Sequence, residues 1–323
     1  MRSHGSTRVA ACVFLLGVAA ATAVRAQTGV DLVLKPGPKD AALEVEARGL
    51  LFDQGYTRGT DLDFRLSILE SEGRWRFKPD MQLSPAVGYS LNWIEIDADG
   101  RGLPDRLVDA SLAVGSALAQ SGEWWFAGLA GVGYAGDKPL ADADAWYLRV
   151  DLIVGRNLWD GILVAVLDYD GNRSVFPDIP LPGIAYSSKI SEQLLYVVGV
   201  PISSVTWKPS KELRVDVTWT IPSALDVLAR YEIGVGISIY GRYDDRTSAF
   251  DLDGTSDTQR LFFLQRRAEA GLHWSPNAKF GVVLGVGLAF SQELASGFDK
   301  RDLDKVAKIS DEPFVRIGVE WRP

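Results

Sequence analysis

Cysteine, histidine and methionine are almost absent from this sequence. Its 323 residues include one cysteine, two histidines and two methionines. So few thiols and imidazoles exclude a disulfide-stapled scaffold and disfavour a zinc module or a histidine-based metal enzyme. Basic residues are also scarce relative to acidic ones, 34 against 42. This balance disfavours a nucleic-acid partner, because binding to phosphates needs a basic surface.

Long apolar runs are missing except at the start of the chain. Two arginines precede an apolar stretch from Val9 to Ala23, and Val24 and Ala26 place small residues before a cleavage site after Ala26, with cleavage after Ala23 as the alternative. This pattern predicts a cleaved secretory signal peptide at 1–26. A membrane anchor is the less favoured alternative, because about 15 apolar residues are fewer than the ~20 that a spanning helix needs. The single cysteine, Cys12, lies in this segment, so the mature chain is expected to have none.

Glycine (32 residues) and aromatic residues are abundant, and apolar residues recur with a period of two. Such alternation predicts strands with one apolar face and one polar face. It occurs in DLDFRLSI (61–68), WYLRVDLIV (146–154) and LRVDVTWTI (213–221). In EIGVGISIYGR (232–242) and KFGVVLGVGLAF (279–290) the second face is mostly glycine and serine. A glycine face suits a lumen or a close strand crossing, while the aliphatic face suits lipid.

The connections between these segments indicate a barrel. We count fourteen strands, at 43–52, 60–70, 74–95, 107–118, 124–135, 146–156, 161–169, 193–207, 212–221, 224–231, 232–243, 260–274, 279–293 and 313–322. Tight turns, such as Ser71-Glu72-Gly73, largely alternate with long loops, as in bacterial outer-membrane barrels. Nine tryptophans fall near strand ends, where interfacial girdles form. The sequence therefore predicts an all-β, transmembrane antiparallel up-and-down β-barrel of about 14 strands, with 12 as the alternative.

Four sequence blocks resemble an uncharacterised family of bacterial outer-membrane β-barrel proteins, known mainly as a domain of unknown function. They are LPDRLVDASLAVG (103–115), FPDIPLPGIAY (176–186), VVGVPISSVTWKPSKELRVDVTWTIP (197–222) and AEAGLHWSPN (268–277). The resemblance implies an outer-membrane barrel but no activity and no catalytic residue. The domain assignment is a signal peptide at 1–26, an N-terminal periplasmic segment at 27–42 and the barrel domain at 43–323.

Polar residues on the faces predicted to point inward are the candidate lumen residues. They are Asp61, Asp63, Arg65, Arg149, Asp151, Arg214, Asp216, Arg267, Glu269 and His273. A Ser–His hydrolase would need His273 beside a serine that a third group orients, and Ser275 lies at a predicted turn. We therefore assign no catalytic residue and do not expect an enzyme.

Three D-x-D-G stretches are the only candidates for a metal site. They comprise Asp97 and Asp99, Asp168 and Asp170, and Asp251 and Asp253. Alternate carboxylates before a glycine can wrap Ca²⁺, but these stretches lack the other ligands of an EF-hand loop, and turn formation is the simpler explanation. No cofactor is expected beyond a possible loop Ca²⁺. The proline-rich stretch 176–183 is predicted to form a stiff loop, either an inward constriction or an external cap.

The leading functional hypothesis is a passive, narrow outer-membrane channel or transporter for a small solute. A barrel of 12–14 strands lies between those that side chains can fill and the wide porins. The alternatives are a non-conducting structural or surface-interaction barrel with acidic external loops and, less favoured, a soluble periplasmic β-sandwich. The expected partners are outer-membrane lipid, lipopolysaccharide and the barrel-assembly machinery, with no nucleic acid and no indication of oligomeric state.

Overall fold

The computed structural model describes residues 29–34, 41–58, 62–79, 81, 83–98, 102–221, 224–255 and 259–323. The predicted signal peptide lies outside these residues. No helix in the described part of the chain is long and apolar enough to cross a membrane. The elements are α1 (Asp31–Leu34), β1 (Leu43–Phe52), β2 (Gly55–Thr57), β3 (Leu62–Arg76), β4 (Ala86–Ala98), β5 (Arg106–Ser121), β6 (Trp124–Gly136), β7 (Trp146–Leu158), β8 (Gly161–Asp170), β9 (Leu181–Ser191), β10 (Leu194–Val200), β11 (Ile202–Trp207), β12 (Leu213–Thr220), β13 (Ala224–Gly234), β14 (Ile237–Asp251), β15 (Arg260–Asn277), β16 (Phe280–Gly297), β17 (Asp304–Lys308) and β18 (Glu312–Trp321).

Sixteen of these strands close into one antiparallel barrel. Each long strand pairs with the next, and β1 closes the ring by pairing with both β3 and β18. The short strands β2 and β17 only extend the edges of β3 and β16. The predicted counts of 14 and 12 are therefore wrong, although the predicted barrel is confirmed. Closure pairs the backbone amides of every strand, which a sheet in hydrocarbon requires, and excludes the β-sandwich alternative.

Two strands account for the difference in number. Strand β9 lies within the segment that was predicted to be loop, and the predicted strand 193–207 is two strands that turn back at Pro201. The predicted turn at Ser71-Glu72-Gly73 is also wrong, because these residues pair with β1 and β4 in the middle of the barrel wall. The chain turns instead between β3 and β4, in the segment that contains Pro79 and Pro85.

Most of the short connections lie at one end of the barrel, where β1 begins and β18 ends, and we call it the turn end. Most of the long connections lie at the other end, the loop end, together with the two short ones between β10 and β11 and between β12 and β13. Aliphatic side chains cover the outer wall between them, including Leu112, Val114, Leu148, Leu152, Val198, Leu272, Val286, Ile317 and Val319. Exposed tryptophans stand near the strand ends, at positions 75, 124, 159, 207, 274 and 321 of the turn end and 146 and 219 of the loop end. An aliphatic band between aromatic girdles is the lipid-facing surface of a transmembrane barrel.

One half of the barrel interior is packed with apolar side chains near the loop end. This cluster includes Phe52, Phe64, Ile94, Phe250, Phe263 and Phe314. Its buried strand residues come from β1, β3–β6, β14–β16 and β18, and we call this half the filled lobe. In the described part of the other half, bounded by β7–β13, only the partly buried Tyr147 of β7 packs against the cluster. A sixteen-stranded ring is wide enough for an aqueous channel, so this packing removes much of the available lumen.

The two halves are separated by a contact across the barrel mouth. Strands β6 and β14 stand opposite each other in the ring, yet Gly136 and Asp251 at their loop ends form a parallel β-bridge. A Cβ on Gly136 would lie 3.0 Å from the carbonyl oxygen of Asp251. Glycine therefore permits the close approach of the two backbones. The bridge pinches the mouth and leaves the β7–β13 half as a separate compartment.

Candidate functional site

Buried ion pairs occupy the interior of the filled lobe below its apolar cluster. The Glu70 carboxylate receives Nη1 of Arg246 at 2.6 Å and Nη1 of Arg267 at 3.1 Å. Arg267 also donates to Asp244 at 2.8 Å, and Nε of Arg316 lies 2.8 Å from Glu269. Charges withdrawn from water are tolerated when they are paired in this way. The network fixes the wall of the filled lobe and leaves no wide path through it.

Part of the N-terminal segment lies inside the barrel at its turn end. In α1, Leu32 and Val33 are 1% and 5% exposed and pack on inward residues such as Trp125, Leu129 and Ile153. The sequence predicts a periplasmic segment at 27–42; of its described residues, 29–34 lie within the barrel and 41–42 lead into β1. Their apolar side chains explain the location, because burial removes them from water. Residues 29–34 therefore form an internal plug.

Small side chains line the opposite part of the interior. Cross-strand partners share a face, so the register from the buried Val164 of β8 identifies the inward positions of β9–β12. These positions include Gly183, Ala185, Gly199, Ser204, Thr206, Thr218 and Thr220, which we call the small-residue wall. None of them is fully buried. Space inside the barrel therefore adjoins this wall.

A polar pocket lies beside the mouth, lined by Ser90, Asp109, Tyr147, Arg149, Asp170 and Asn172. Tyr147 of β7 crosses β6 and donates from its hydroxyl to Oδ1 of Asp109 on β5, at 2.8 Å. The crossing requires Gly133 on β6, because any Cβ there would overlap the tyrosine ring. On the next inward row, Nη2 of Arg149 lies 3.3 Å from Oδ2 of Asp170.

The structure places most of the candidate lumen residues inside the barrel. Arg149, Asp151, Arg214, Asp216, Arg267, Glu269 and His273 occupy inward positions, whereas Asp61 lies outside the described residues. They do not form one site. Arg149 and Asp151 adjoin the polar pocket, Arg214 pairs with Asp216 at 2.7 Å below the small-residue wall, and Arg267 and Glu269 belong to the ion network.

The structure contradicts the prediction that Asp63 and Arg65 point into the lumen. Both are exposed on the outside of β3, and Phe64 and Leu66 point into the filled lobe instead. The alternation is as predicted, but its two faces are reversed. Near the loop end the outer surface leaves the apolar band and carries other charges, such as Glu95, while the interior is apolar. Near the loop end, apolar residues therefore point into the barrel, and the rule that they face lipid does not apply.

The carboxylates of the D-x-D-G stretches are dispersed. Asp97 is exposed on β4, Asp168 pairs with Arg173 at 2.8 Å, and Asp253 pairs with Lys138. Asp170 faces the polar pocket and Asp251 forms the bridge across the mouth, while Asp99 lies outside the described residues. Within the described ranges, no group of three or more acidic, histidine or cysteine side chains is arranged to hold a metal ion. A loop Ca²⁺ site stays an untested prediction.

His273 and Ser275 do not approach a catalytic arrangement. Nε2 of His273 lies 3.6 Å from Oε1 of Glu320, and the Ser275 hydroxyl donates to the carbonyl oxygens of Asn277 and Phe280 within the turn. A serine nucleophile needs its hydroxyl within hydrogen-bond reach of the base. These contacts place His273 in the barrel wall near the turn end, beside Glu320.

The proline-rich loop 171–180 reaches over the mouth to β15 and the loop after β16. Arg260 donates to Oδ1 of Asn172 at 3.3 Å, and the Arg301 guanidinium lies 3.8 Å from the centre of the Phe176 ring. Nε of Arg301 also donates to Asp299, and this hydrogen bond lowers the pKa of the Asp299 carboxyl to about 2. The loop therefore caps part of the mouth, and its last predicted residues, 181–183, belong to β9 instead.

A closed, even-stranded antiparallel barrel with an aliphatic outer band, aromatic girdles and short turns at one end defines the class of outer-membrane β-barrel proteins. The resemblance to an uncharacterised barrel family implies this fold. The sequence itself matches no protein-family model and no curated protein.

Among solved structures, the chain is similar to an outer-membrane channel from Pseudomonas putida F1, with 12% identity and a TM-score of 0.37 over 88% of this chain and 97% of that one. It is also similar to a mutant of the TodX monoaromatic hydrocarbon channel, with 8% identity and a TM-score of 0.41 over 92% and 93%. A third similar structure is OmpF of Salmonella typhi in complex with daunomycin, with 10% identity and a TM-score of 0.26 over 88% and 98%.

Proposed function

We propose that the protein is a narrow channel of the outer membrane that passes a small polar solute along the small-residue wall. The observation that carries this proposal is the unequal filling of the barrel. Apolar packing and ion pairs occupy the filled lobe, whereas Gly183, Ser204 and Thr218 on the opposite side leave space. Hydroxyl and backbone groups along this wall offer hydrogen bonds to water, as a polar path requires.

The plug and the cap regulate entry in this proposal. Residues 29–34 narrow the turn end, and loop 171–180 covers part of the loop end. Because both segments sit inside or over the barrel rather than in its wall, either can move without breaking the sheet. We therefore expect a small unitary conductance with closures.

A non-conducting structural barrel is the second candidate. It is supported by the same plug together with the bridge between Gly136 and Asp251, which separates the mouth into two parts. If the plug and cap stay in place, the remaining space holds water but passes no solute. The two candidates share the fold and differ only in whether a continuous path exists.

Recordings from the purified full-length protein in planar lipid bilayers distinguish these candidates. The channel proposal predicts discrete conductance steps well below those of wide porins. It also predicts osmotic swelling of proteoliposomes in glycerol and not in a large oligosaccharide. Absence of both conductance and swelling, for a protein that shows heat-modifiable migration and fractionates with outer membranes, would overturn the channel and leave the structural barrel.

A further inference from the structure

The barrel is much lower at β10–β12 than on its opposite side. Strands β10, β11 and β12 have 7, 6 and 8 residues, whereas β14, β15 and β16 have 15, 18 and 18. A tilted strand needs about 9–11 residues to cross a membrane. The hairpins β10–β11 and β12–β13 therefore turn back before they reach the height of the long loops.

The interfacial tryptophans show the same difference in height. In the register of β6 and β7, Trp124 of the turn end lies ten rows from Trp146 of the loop end. In the register of β11 and β12, Trp207 of the turn end lies only four rows from Trp219. At ~3.3 Å per residue and a strand tilt of ~40°, these separations correspond to about 25 Å and about 10 Å in height. The first matches the ~25 Å of a lipid-facing band, and the second places Trp219 at the depth of the acyl chains.

Both hairpins end in exposed apolar side chains, and we call residues 199–202 and 219–221 the low rim. Val200 is 56% exposed, Ile202 40% and Trp219 52%. No charged residue occurs at 194–207 or at 217–225, whereas long loops such as 136–145 and 298–303 contain several. Exposed aliphatic groups without charged neighbours favour hydrocarbon over water. The composition of the low rim therefore agrees with its depth.

The low rim is apolar on its inner face as well as on its outer face. The register places Val200 outside, beside Ile184, and Ile202 inside, beside Thr220 of the small-residue wall. On the outside, the low rim continues the aliphatic outer band through the exposed Val198. An aliphatic side chain exposed on the inner face would be unfavourable in water, but it is well accommodated by acyl chains. Acyl chains therefore fit both faces of the low rim.

We propose that the low rim is a sideways opening of the barrel, where acyl chains of outer-leaflet lipids reach over the wall and contact its inner face. Depth identifies the partner, because the surroundings at this height are acyl chains and not headgroups or water. The opening connects the space beside the small-residue wall to the outer leaflet. It goes beyond the proposed function and does not require that the barrel conducts.

Fluorescence quenching of single-cysteine variants of the full mature chain in lipid vesicles tests this opening. Val200→Cys and Ile202→Cys, each labelled with bimane, report on the two faces of the low rim. Val286→Cys, in the aliphatic outer band, is the control for a position among acyl chains. Val306→Cys, in the charged strand β17 at the loop end, is the control for a position in water.

We expect both low-rim labels to lose fluorescence in phosphatidylcholine that is brominated in its acyl chains, to the same extent as the Val286→Cys label. We also expect them to be protected from iodide added to the water, whereas the Val306→Cys label should show the reverse. If Val200→Cys does not fold, Ile221→Cys on the other hairpin reports the same contact. In vesicles of phosphatidylcholine with shorter acyl chains, iodide quenching of the low-rim labels should rise, because a thinner bilayer leaves the low rim closer to water.

Three results would overturn the proposal. Iodide quenching of the Val200→Cys label without quenching by brominated lipid would place the low rim in water. The same result for Ile202→Cys alone would show that lipid contacts only the outer face, so that the wall is not open. Protection of both labels from both quenchers would indicate that a protein, such as a second copy of the chain, covers the low rim instead of lipid.

Discussion

Gly136 and Asp251 are joined backbone to backbone although their strands, β6 and β14, lie on opposite sides of the barrel. This bridge divides a ring of sixteen strands into a lobe filled by side chains and a compartment lined by small residues. The consequence for function is that strand number alone overestimates the width of the lumen.

The apolar cluster should contribute strongly to stability. Phe250 is fully buried at the loop end of β14, next to the bridge residue Asp251. We expect Phe250→Ala to lower the free energy of unfolding by about 3–5 kcal/mol, because it leaves a cavity in packed surroundings. Urea titration in lipid vesicles measures this change. Val315→Ala, on the exposed outer face, is the control, and an equal loss there would contradict a packed interior.

The ion network should be intolerant of losing one charge. Glu70 binds both Arg246 and Arg267; Glu70 and Arg267 are buried, and Arg246 is partly buried. Glu70→Gln leaves two guanidinium groups without their shared carboxylate, so we expect a destabilisation of about 3–5 kcal/mol. The midpoint of heat-modifiable migration reports it. The exposed residue Glu95 offers a matched Glu→Gln control, and a midpoint no lower for Glu70→Gln than for this control would show that the network is dispensable.

Releasing the plug should enlarge the conductance. Leu32 is packed against the inner wall at the turn end, and Leu32→Asp would bury an unpaired carboxylate, which is strongly unfavourable. We expect residues 29–34 to leave the barrel, the unitary conductance to rise and the segment to become sensitive to protease. Gly115→Val should act the same way, because a Cβ at Gly115 would lie 2.5 Å from Cγ2 of Val33. Unchanged currents and unchanged protease resistance in both variants would argue against a plug.

The stability of the contact between loop 171–180 and the loop after β16 should depend on pH through Asp299. Its pKa is lowered from 3.8 to about 2 by the hydrogen bond from Arg301. A lowered pKa means that this contact stabilises the loop fully above the unfolded value of 3.8, and that the stabilisation is lost as the pH falls toward 2. Hydrogen exchange of residues 298–302 should therefore show constant protection from pH 7 to about 5 and loss below pH 4. Asp299→Asn should abolish this dependence, whereas loss of protection already between pH 7 and 5 would implicate another group.

The sequence was most informative where the wall borders lipid. In β7, the alternation of Leu148, Val150 and Leu152 with Arg149 and Asp151 predicts the observed outer and inner faces. In β3 the same alternation leads to the wrong assignment for Asp63 and Arg65. A period of two defines two faces but does not say which one is buried, and near the loop end the interior is the more apolar side.

Strand β9 and the ion pairs of the filled lobe could not be predicted from the alternation of apolar and polar residues. Proline normally interrupts a strand, but Pro182 is the second residue of β9, near the strand end where a missing N–H is best tolerated. The ion pairs depend on contacts between residues far apart in the chain, such as Glu70 and Arg267, which are separated by 197 positions. Alternation within one strand carries no information on such pairs. The contact of Asn172 with Arg260 likewise becomes visible only when the loop after β8 and β15 are brought together.

The most direct test of the proposed path is cysteine modification of the small-residue wall. The only cysteine, Cys12, lies in the predicted signal peptide, so the mature protein gives a clean background. Ser204→Cys places a thiol on the wall, and Ser248→Cys makes the same change on the inner face of β14 in the filled lobe. In bilayer recordings with a water-soluble methanethiosulfonate cation, we predict a stepwise fall in conductance for Ser204→Cys and none for Ser248→Cys. An unmodified Ser204→Cys channel, or block only through Ser248→Cys, would contradict a path along the small-residue wall.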